Sequence, residues 1–263
     1  MRFEFFPLSR YNLRNAFRGR RLEKIRFKDS KGHKLVGEFY SPIKPSDKLP
    51  LVVYSHGLYS SMKSNKSAVF RDKLPAAGFG FFVFDAYGVG ESEGKFKETT
   101  LTSRIDGLKS AIDTVSSRDD VLTNKVYLVG SSFGGLASLC VAAQNDKVKA
   151  MVLLAPAVNF CYKNFEPTEY PELDSTAFED VRKYDPYKVA EKIKIPVLII
   201  HGDKDEEVPF ETSIELVKHI KNAKLVTIEG ADHRFDNKKD FDLLVEKTVN
   251  FLITVSKKRK HYS

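Results

Sequence analysis

The sequence predicts an α/β fold: a mostly parallel sheet of about eight strands with helices on both faces. Three observations carry this. Short apolar runs alternate with helix-length segments along most of the chain. Several runs, Phe79–Phe84 among them, are apolar at nearly every position rather than every second one, the mark of strands buried on both faces. The 263 residues are 42% hydrophobic, enough for one large core, so residues 1–263 are expected to form a single domain.

Taken in order, Leu22–Phe27 and Leu35–Tyr40 flank the turn signal Asp29-Ser30-Lys31-Gly32 and read as an antiparallel hairpin. Leu51–Tyr54 and Phe79–Phe84 are buried strands, and Leu101 to Val115 is a helix. Val126–Val129 is a strand followed by one sharp turn and a helix from Leu136 to Ala143. Ala150–Leu154 and Val197–Ile200 are further strands. Phe210–Ile220 is a helix, Lys224–Ile228 the last strand and Phe241–Val255 a closing helix.

One stretch breaks the rhythm. About 40 residues separate the strand ending at Leu154 from the one starting at Val197, longer than an ordinary α/β connection. Residues 160–187 hold seven aromatics: Phe160, Tyr162, Phe165, Tyr170, Phe178, Tyr184 and Tyr187. Residues 156–192 are expected to form a small cap insertion whose aromatics shape an acyl or aryl pocket.

The net charge of +8 is uneven: residues 1–28 carry nine Lys and Arg against Glu4 and Glu23, and the chain ends with Lys257-Lys258-Arg259-Lys260. A solvated basic rim accounts for this. Phe3, Phe5, Phe6, Leu8, Leu13 and Phe17, interleaved with Arg, would also suit weak peripheral contact with an anionic membrane, and an Arg-rich, acid-poor start fits a targeting peptide. No basic stripe coincides with a nucleic-acid-binding pattern, so no nucleic-acid partner is expected. Two cysteines, Cys140 and Cys161, make no disulfide framework and no C-x-x-C. With no secretory h-region and no apolar run near 18 residues, the expected location is the cytoplasm.

The chemistry centres on Gly130-Ser131-Ser132-Phe133-Gly134, a G-x-S-x-G pattern between strand and helix. That setting forces Ser132 into a strained conformation with its hydroxyl exposed, and the helix N-terminus aims free N–H groups at it. A serine hydroxyl needs a base, and the base an orienting acid. Of the six histidines, only His233, in Gly230-Ala231-Asp232-His233-Arg234-Phe235, comes late in the chain on a loop after a strand. The acid is expected in His201-Gly202-Asp203-Lys204-Asp205-Glu206-Glu207-Val208-Pro209. Asp203 suits tying that loop to its own backbone, whereas Asp205 lies farther out and reaches across. Asp85, after another strand, suits stabilising its own turn. Donors for a developing oxyanion are expected from the N–H of Phe133 and, with Gly57 permitting the turn, of Leu58. Tyr59, Phe160, Tyr162 and Phe165 are the candidate substrate-binding side chains. No metal cluster, phosphate loop or dinucleotide fingerprint is present, and the chemistry calls for no cofactor.

With these motifs in order, residues 22–255 resemble the α/β-hydrolase superfamily. The likeness rests on His56-Gly57, Phe84-Asp85-Ala86-Tyr87-Gly88-Val89-Gly90-Glu91-Ser92, Gly130–Gly134, the Gly202–Pro209 loop and Asp232-His233. Within it, Asp185-Pro186-Tyr187, the Gly-Asp-Lys-Asp-x-x-Val-Pro loop and the short insertion resemble the cinnamoyl/feruloyl esterase and serine-aminopeptidase-like group. That resemblance implies Ser132, Asp205 and His233 as a catalytic triad, with Leu58 and Phe133 as oxyanion donors. It implies a serine carboxylic ester hydrolase acting on short- to medium-chain or aryl esters. A peptidase or acyl-peptide hydrolase is the alternative, with Glu166, Glu169 or Glu172 meeting a substrate amine. A thioesterase or monoacylglycerol lipase is a near variant, and a non-catalytic binding module would require a missing triad member.

Overall fold

The computed structural model describes residues 20–45, 47–162 and 169–257. Strand β1 (Arg20–Lys28) pairs antiparallel with β2 (Lys34–Pro42), with Leu22 opposite Tyr40 and Phe27 opposite Leu35. Asp29 closes the hairpin: its Oδ1 accepts the N–H groups of Lys31 and His33 at 3.0 and 2.9 Å. β2 then pairs antiparallel with β4 (Gly80–Asp85). β3 (Leu49–Ser55), β5 (Val121–Ser131), β6 (Val148–Leu154), β7 (Val197–Gly202) and β8 (Ala223–Ile228) join β4 in parallel. The eight strands lie in the order β1-β2-β4-β3-β5-β6-β7-β8. This is the α/β-hydrolase arrangement the sequence led us to expect.

The two-sided burial has a direct cause in the pleat. Along β4, Phe82 and Phe84 enter the core on one face and Phe81 and Val83 the core on the other. The first face is covered by α2 (Leu101–Ser116), α3 (Phe133–Ala142) and α6 (Phe210–His219), through Leu108, Ile112, Leu136 and Leu216. The second is covered by α1 (Asn65–Ala76) and α7 (Lys238–Lys257), through Phe70, Leu74, Leu244 and Leu252.

Helix α1 is absent from the sequence reading. It is polar around much of its circumference, carries Pro75 near its end and buries only Ser67, Phe70, Leu74 and Pro75, so it lacks a readable apolar stripe. What starts it is local: Ser64 Oγ accepts the Ser67 N–H at 3.3 Å.

The long connection contains a 3₁₀ turn (Val158–Cys161) and two short helices, α4 (Ser175–Val181) and α5 (Pro186–Ala190). Phe160, Phe178, Val181 and Ala190 join the first core. Cys140 and Cys161 are free and buried. Among the described residues, no helix is long and apolar enough to cross a membrane. The expectations placed on residues 1–19, on Phe165 and Glu166, and on the basic run 258–260 fall outside the described residues.

Candidate active site

Parallel strands end in loops on one edge of the sheet, and four of those loops meet there. The tightest is the turn from β5 into α3. Ser132 occupies it with φ 53° and ψ −120°, a region that costs a non-glycine residue about 1–3 kcal/mol. Its N–H is anchored to the Leu154 carbonyl at 2.8 Å. The crowding explains Gly134: a Cβ there would lie 2.2 Å from the Ser55 carbonyl oxygen, so only glycine lets α3 approach the end of β3.

The hydroxyl has a partner 101 positions away. His233 Nε2 lies 3.0 Å from Ser132 Oγ, and its Nδ1 lies 2.7 Å from Asp205 Oδ2. With a carboxylate at Nδ1, that nitrogen carries the proton and Nε2 accepts from the serine. The His233 side chain is 12% exposed and that of Asp205 fully enclosed. Asp205 is the acid that crosses to the histidine. Asp203 does tie a loop, but to the neighbouring one and not its own: its Oδ1 accepts the Gly230 N–H at 2.6 Å, holding the turn that carries His233. Asp85 stabilises turns as expected, accepting the N–H groups of Met62 and Glu91 at 2.8 and 3.0 Å.

Asp205 has more donors than the sequence suggested. Oδ1 accepts the N–H groups of Glu207 and Val208 at 2.9 and 2.7 Å. Oδ2 accepts, besides His233, the Nε2–H of fully buried His201 at 2.9 Å. With Nε2 donating to an acceptor-only carboxylate, the other nitrogen of His201 accepts the Ser213 hydroxyl at 2.7 Å. Burial alone would raise the carboxyl's pKa. The bonds from His201, His233 and the Val208 N–H outweigh burial and hold it well below the usual carboxylate range.

On the opposite side of Ser132 lies the loop after β3. A Cβ on Gly57 would stand 3.4 Å from Ser132 Cβ and 4.0 Å from its Oγ, so this backbone borders the hydroxyl. His56 is 1% exposed; its Nδ1–H donates to the Gly57 carbonyl at 2.8 Å and its Nε2 accepts the Ala86 N–H at 3.2 Å. A trans peptide is planar, with its C=O and N–H opposed, so tying down the Gly57 oxygen turns the Leu58 N–H the other way. Phe133 is the first residue of α3, where an N–H has no acceptor within the helix. Burial, reinforced by the nearby Arg104 charge, pushes the His56 pKa down to about 3, so the imidazole is neutral.

These walls enclose a cleft of about 1010 Å³ that has Ser132 and His233 in its lining. One arm is aromatic. Phe133 meets Phe160 at 5.5 Å between ring centroids, Phe160 meets Tyr170 edge-on at 5.2 Å, and Tyr170 stacks on Tyr59 at 6.3 Å. Tyr59 is 59% exposed at the mouth and its hydroxyl donates to Glu172 at 3.0 Å. The other arm runs along Lys63, Lys66, Arg234 and Lys238. Of the candidate pocket residues, Tyr59 and Phe160 line the cleft and Tyr162 does not: its ring stacks on Tyr187 and its hydroxyl bonds Asp185 at 2.5 Å. Tyr170 stands in its place, two aromatics that composition alone could not tell apart. Among the described residues, no three His, Cys, Asp or Glu side chains converge as a metal-binding group.

Comparison with known proteins places this geometry in company. Residues 69–259 match the prolyl oligopeptidase family of peptidases, a span that holds Ser132, Asp205 and His233. The bovine mitochondrial palmitoyl-protein thioesterase ABHD10 is 30% identical over 232 residues, which is 78% of this chain and 74% of that protein. The uncharacterized protein YfhR of Escherichia coli O157:H7 is 28% identical over 88% of this chain and 81% of its own length. Among solved structures, Est1E from Butyrivibrio proteoclasticus with bound ferulic acid superposes with a TM-score of 0.80 at 28% identity, covering 89% of this chain and all of that one.

Proposed function

The chain belongs to the prolyl oligopeptidase family and is a hydrolase of the α/β-hydrolase fold, and from that premise we propose that it is a serine carboxylic ester hydrolase working through an acyl-enzyme. The observation that carries the proposal is the continuous line Ser132 Oγ–His233 Nε2 at 3.0 Å and His233 Nδ1–Asp205 at 2.7 Å, set in an aromatic-walled cleft.

In this reading Ser132 Oγ attacks the ester carbonyl while His233 takes its proton. The resulting oxyanion is met by the N–H groups of Leu58 and Phe133. Collapse breaks the C–O bond to the leaving alcohol, which His233 protonates. Water, deprotonated by the same histidine, then releases the acid and restores Ser132. Asp205, an anion supplied by four donors, fixes the tautomer of His233 and stabilises its imidazolium. The substrates are small short- to medium-chain or aryl esters, with Tyr59, Phe160 and Tyr170 flanking the acyl or aryl group beneath a cap formed by residues 156–192. The similarity to Est1E, whose structure holds ferulic acid, favours aryl acids. The similarity to ABHD10, a palmitoyl-protein thioesterase, favours a second reading in which the bond is a thioester. Two free, buried cysteines suit a cytoplasmic setting. Any weak membrane contact would fall to the basic termini.

Initial rates on p-nitrophenyl esters from acetate to palmitate, methyl ferulate, a palmitoyl thioester and an aminoacyl p-nitroanilide test this directly. Ser132→Ala should lower kcat on the best ester by at least about 10⁴-fold. Equal turnover by Ser132→Ala and wild type would remove the mechanism. A preference for the thioester or the anilide would keep the triad and replace the ester.

A further inference from the structure

Arg104 is the anomaly in the core. It projects from the first turns of α2, is 2% exposed and is among the largest fully buried side chains of the described residues. Burial pulls its pKa down against the upward pull of Asp85, to about 10, which leaves a full positive charge at neutral pH. Removing a guanidinium from water is costly unless a carboxylate or a full set of acceptors replaces the solvent. Here neither does. Asp85 acts on it through space but makes no ion pair with it. Among the described residues, the groups it directly touches, His56, the Leu58 carbonyl and the Phe133 ring, are uncharged, and its Nε has no hydrogen-bond partner.

The identity of those contacts is informative. Nη2 donates to the Leu58 carbonyl at 3.3 Å. Nη1 lies 3.2 and 3.4 Å from the two ring nitrogens of His56. Both nitrogens are already engaged in the ring plane, by Gly57 and Ala86, so Nη1 rests against the ring face. The guanidinium also stands 5.9 Å from the centre of the Phe133 ring. Leu58 and Phe133 supply the two N–H groups assigned above to the oxyanion, and His56 sets the direction of one of them. One buried cation thus touches all three residues that build this side of the cleft.

We infer that Arg104 is a positioning residue for the oxyanion pocket: through the Leu58 carbonyl it holds the peptide that follows the oxyanion donor, through His56 it braces the peptide that carries that donor, and it places a positive field behind the point where negative charge develops. The inference rests on the acyl-enzyme reading above. A bound ester presents a nearly neutral carbonyl, whereas the tetrahedral intermediate carries a full negative charge on that oxygen. A fixed cation in a water-poor wall therefore favours the intermediate over the substrate, and its removal should lower kcat rather than raise KM.

The test compares a trifluoromethyl ketone with the corresponding methyl ketone. Ser132 Oγ adds to the fluorinated carbonyl, its proton passes to His233 and a hemiketal oxyanion forms, whereas the methyl ketone stays largely an unreacted, neutral ligand. Arg104→Met should lose about 10- to 100-fold in kcat, below or near the effect of removing one direct oxyanion donor. Its trifluoromethyl ketone affinity should fall in parallel, with KM and methyl ketone affinity within about two-fold, since an interaction made only with the charged intermediate leaves ground-state binding unchanged. Arg104→Lys should recover part of both losses. A folded Arg104→Met with unchanged kcat, or with both ketones weakened equally, overturns the inference. If Arg104→Met does not fold, Arg104→Gln and Arg104→Lys are read by the same affinity ratio. Failure of all three to fold would assign Arg104 to stability alone and overturn it too. If wild-type protein neither hydrolyses esters nor forms the hemiketal, it is the acyl-enzyme reading that falls.

Discussion

The dipeptide His-Gly occurs twice at the carboxyl end of a parallel strand, as His56-Gly57 after β3 and as His201-Gly202 at the end of β7. Both histidines are buried, at 1% and 0% exposure, and both use their two ring nitrogens. Their neighbours set them apart. His56 carries its proton on Nδ1, turns a peptide toward Ser132 and lies under the Arg104 cation. His201 carries its proton on Nε2 and gives it to the Asp205 carboxylate. The glycines differ as well. Gly57 borders the open cleft, while a Cβ on Gly202 would stand 2.1 Å from the Ala231 carbonyl oxygen. Equal sequence and equal burial thus produce one corner suited to receiving negative charge and one suited to holding it. The sign of the buried partner decides which is which.

The largest effect should come from disturbing the anionic corner. Asp205 accepts from two imidazoles and two backbone N–H groups. Asp205→Asn keeps the shape but turns an N–H toward at least one of those donors and removes the charge that fixes His233. Steady-state kinetics on the best ester should show kcat reduced about 10⁴-fold. A loss below ten-fold would mean that the carboxylate is dispensable and that the two corners are not functionally distinct.

Substitution of the two glycines separates the corners by kind of damage. Gly202→Ala drives a methyl into backbone and should cost about 3 kcal/mol or more in urea unfolding. Gly57→Ala meets only ordinary van der Waals contact with Ser132 and should leave stability within about 1 kcal/mol while slowing turnover. Similar stability losses in both would break the comparison.

The smallest effect is titrational and distinguishes the corners by pH window. His56 stays neutral in the fold down to about pH 3, whereas in the unfolded chain it protonates near its ordinary value of 6.5. Between those values the unfolded chain binds more protons, so stability falls as pH drops below about 6.5, by up to about 1.4 kcal/mol per unit. The depressed Asp205 carboxyl acts lower: its stabilisation is complete above about pH 5 and disappears as pH falls below the ordinary carboxylate value near 4. Thermal unfolding of His56→Asn should therefore show a flatter pH dependence than wild type between pH 6.5 and 4.5. A slope identical to wild type would mean that His56 is solvated or already charged in the fold.

Much of this site is legible along the chain because it depends on local geometry. A G-x-S-x-G between a strand and a helix forces the Ser132 turn by sterics alone, and loops that follow parallel strands must share one edge, which brings His233 and Asp205 within reach. The less legible parts had fainter signals. Arg104 interrupts the apolar stripe Leu101, Ile105, Leu108, Ile112 and Val115 at a position that faces the core, and a lone cation there is a sign of buried charge. His201 repeats the dipeptide marked at His56 and has Asp205 only four residues away, but Asp203 lies nearer still and nothing in the pattern says which carboxylate folds back onto the ring, while the Arg partner of His56 lies 48 positions off. Phe160, Tyr162 and Tyr170 share a composition, and the path of the connection alone turns the first and third into the cleft.

By itself, then, the sequence determined the parallel core of the sheet, the strained serine and the edge where its partners collect. Each of these follows from periodicity, glycine placement or chain direction over ten or so residues. Only the tertiary structure decided that Asp205 serves two histidines, that the Gly57–Leu58 peptide is turned by His56, and that Arg104 is buried against His56 and the Leu58 carbonyl with no ion-pair partner among the described residues. Those outcomes rest on contacts between residues 28, 30 and 48 positions apart: His233 with Asp205, Ala86 with His56, and Arg104 with His56. Such contacts are selected by how helices and loops pack on the finished sheet, and their energies change sign with the charge of whichever neighbour packing supplies.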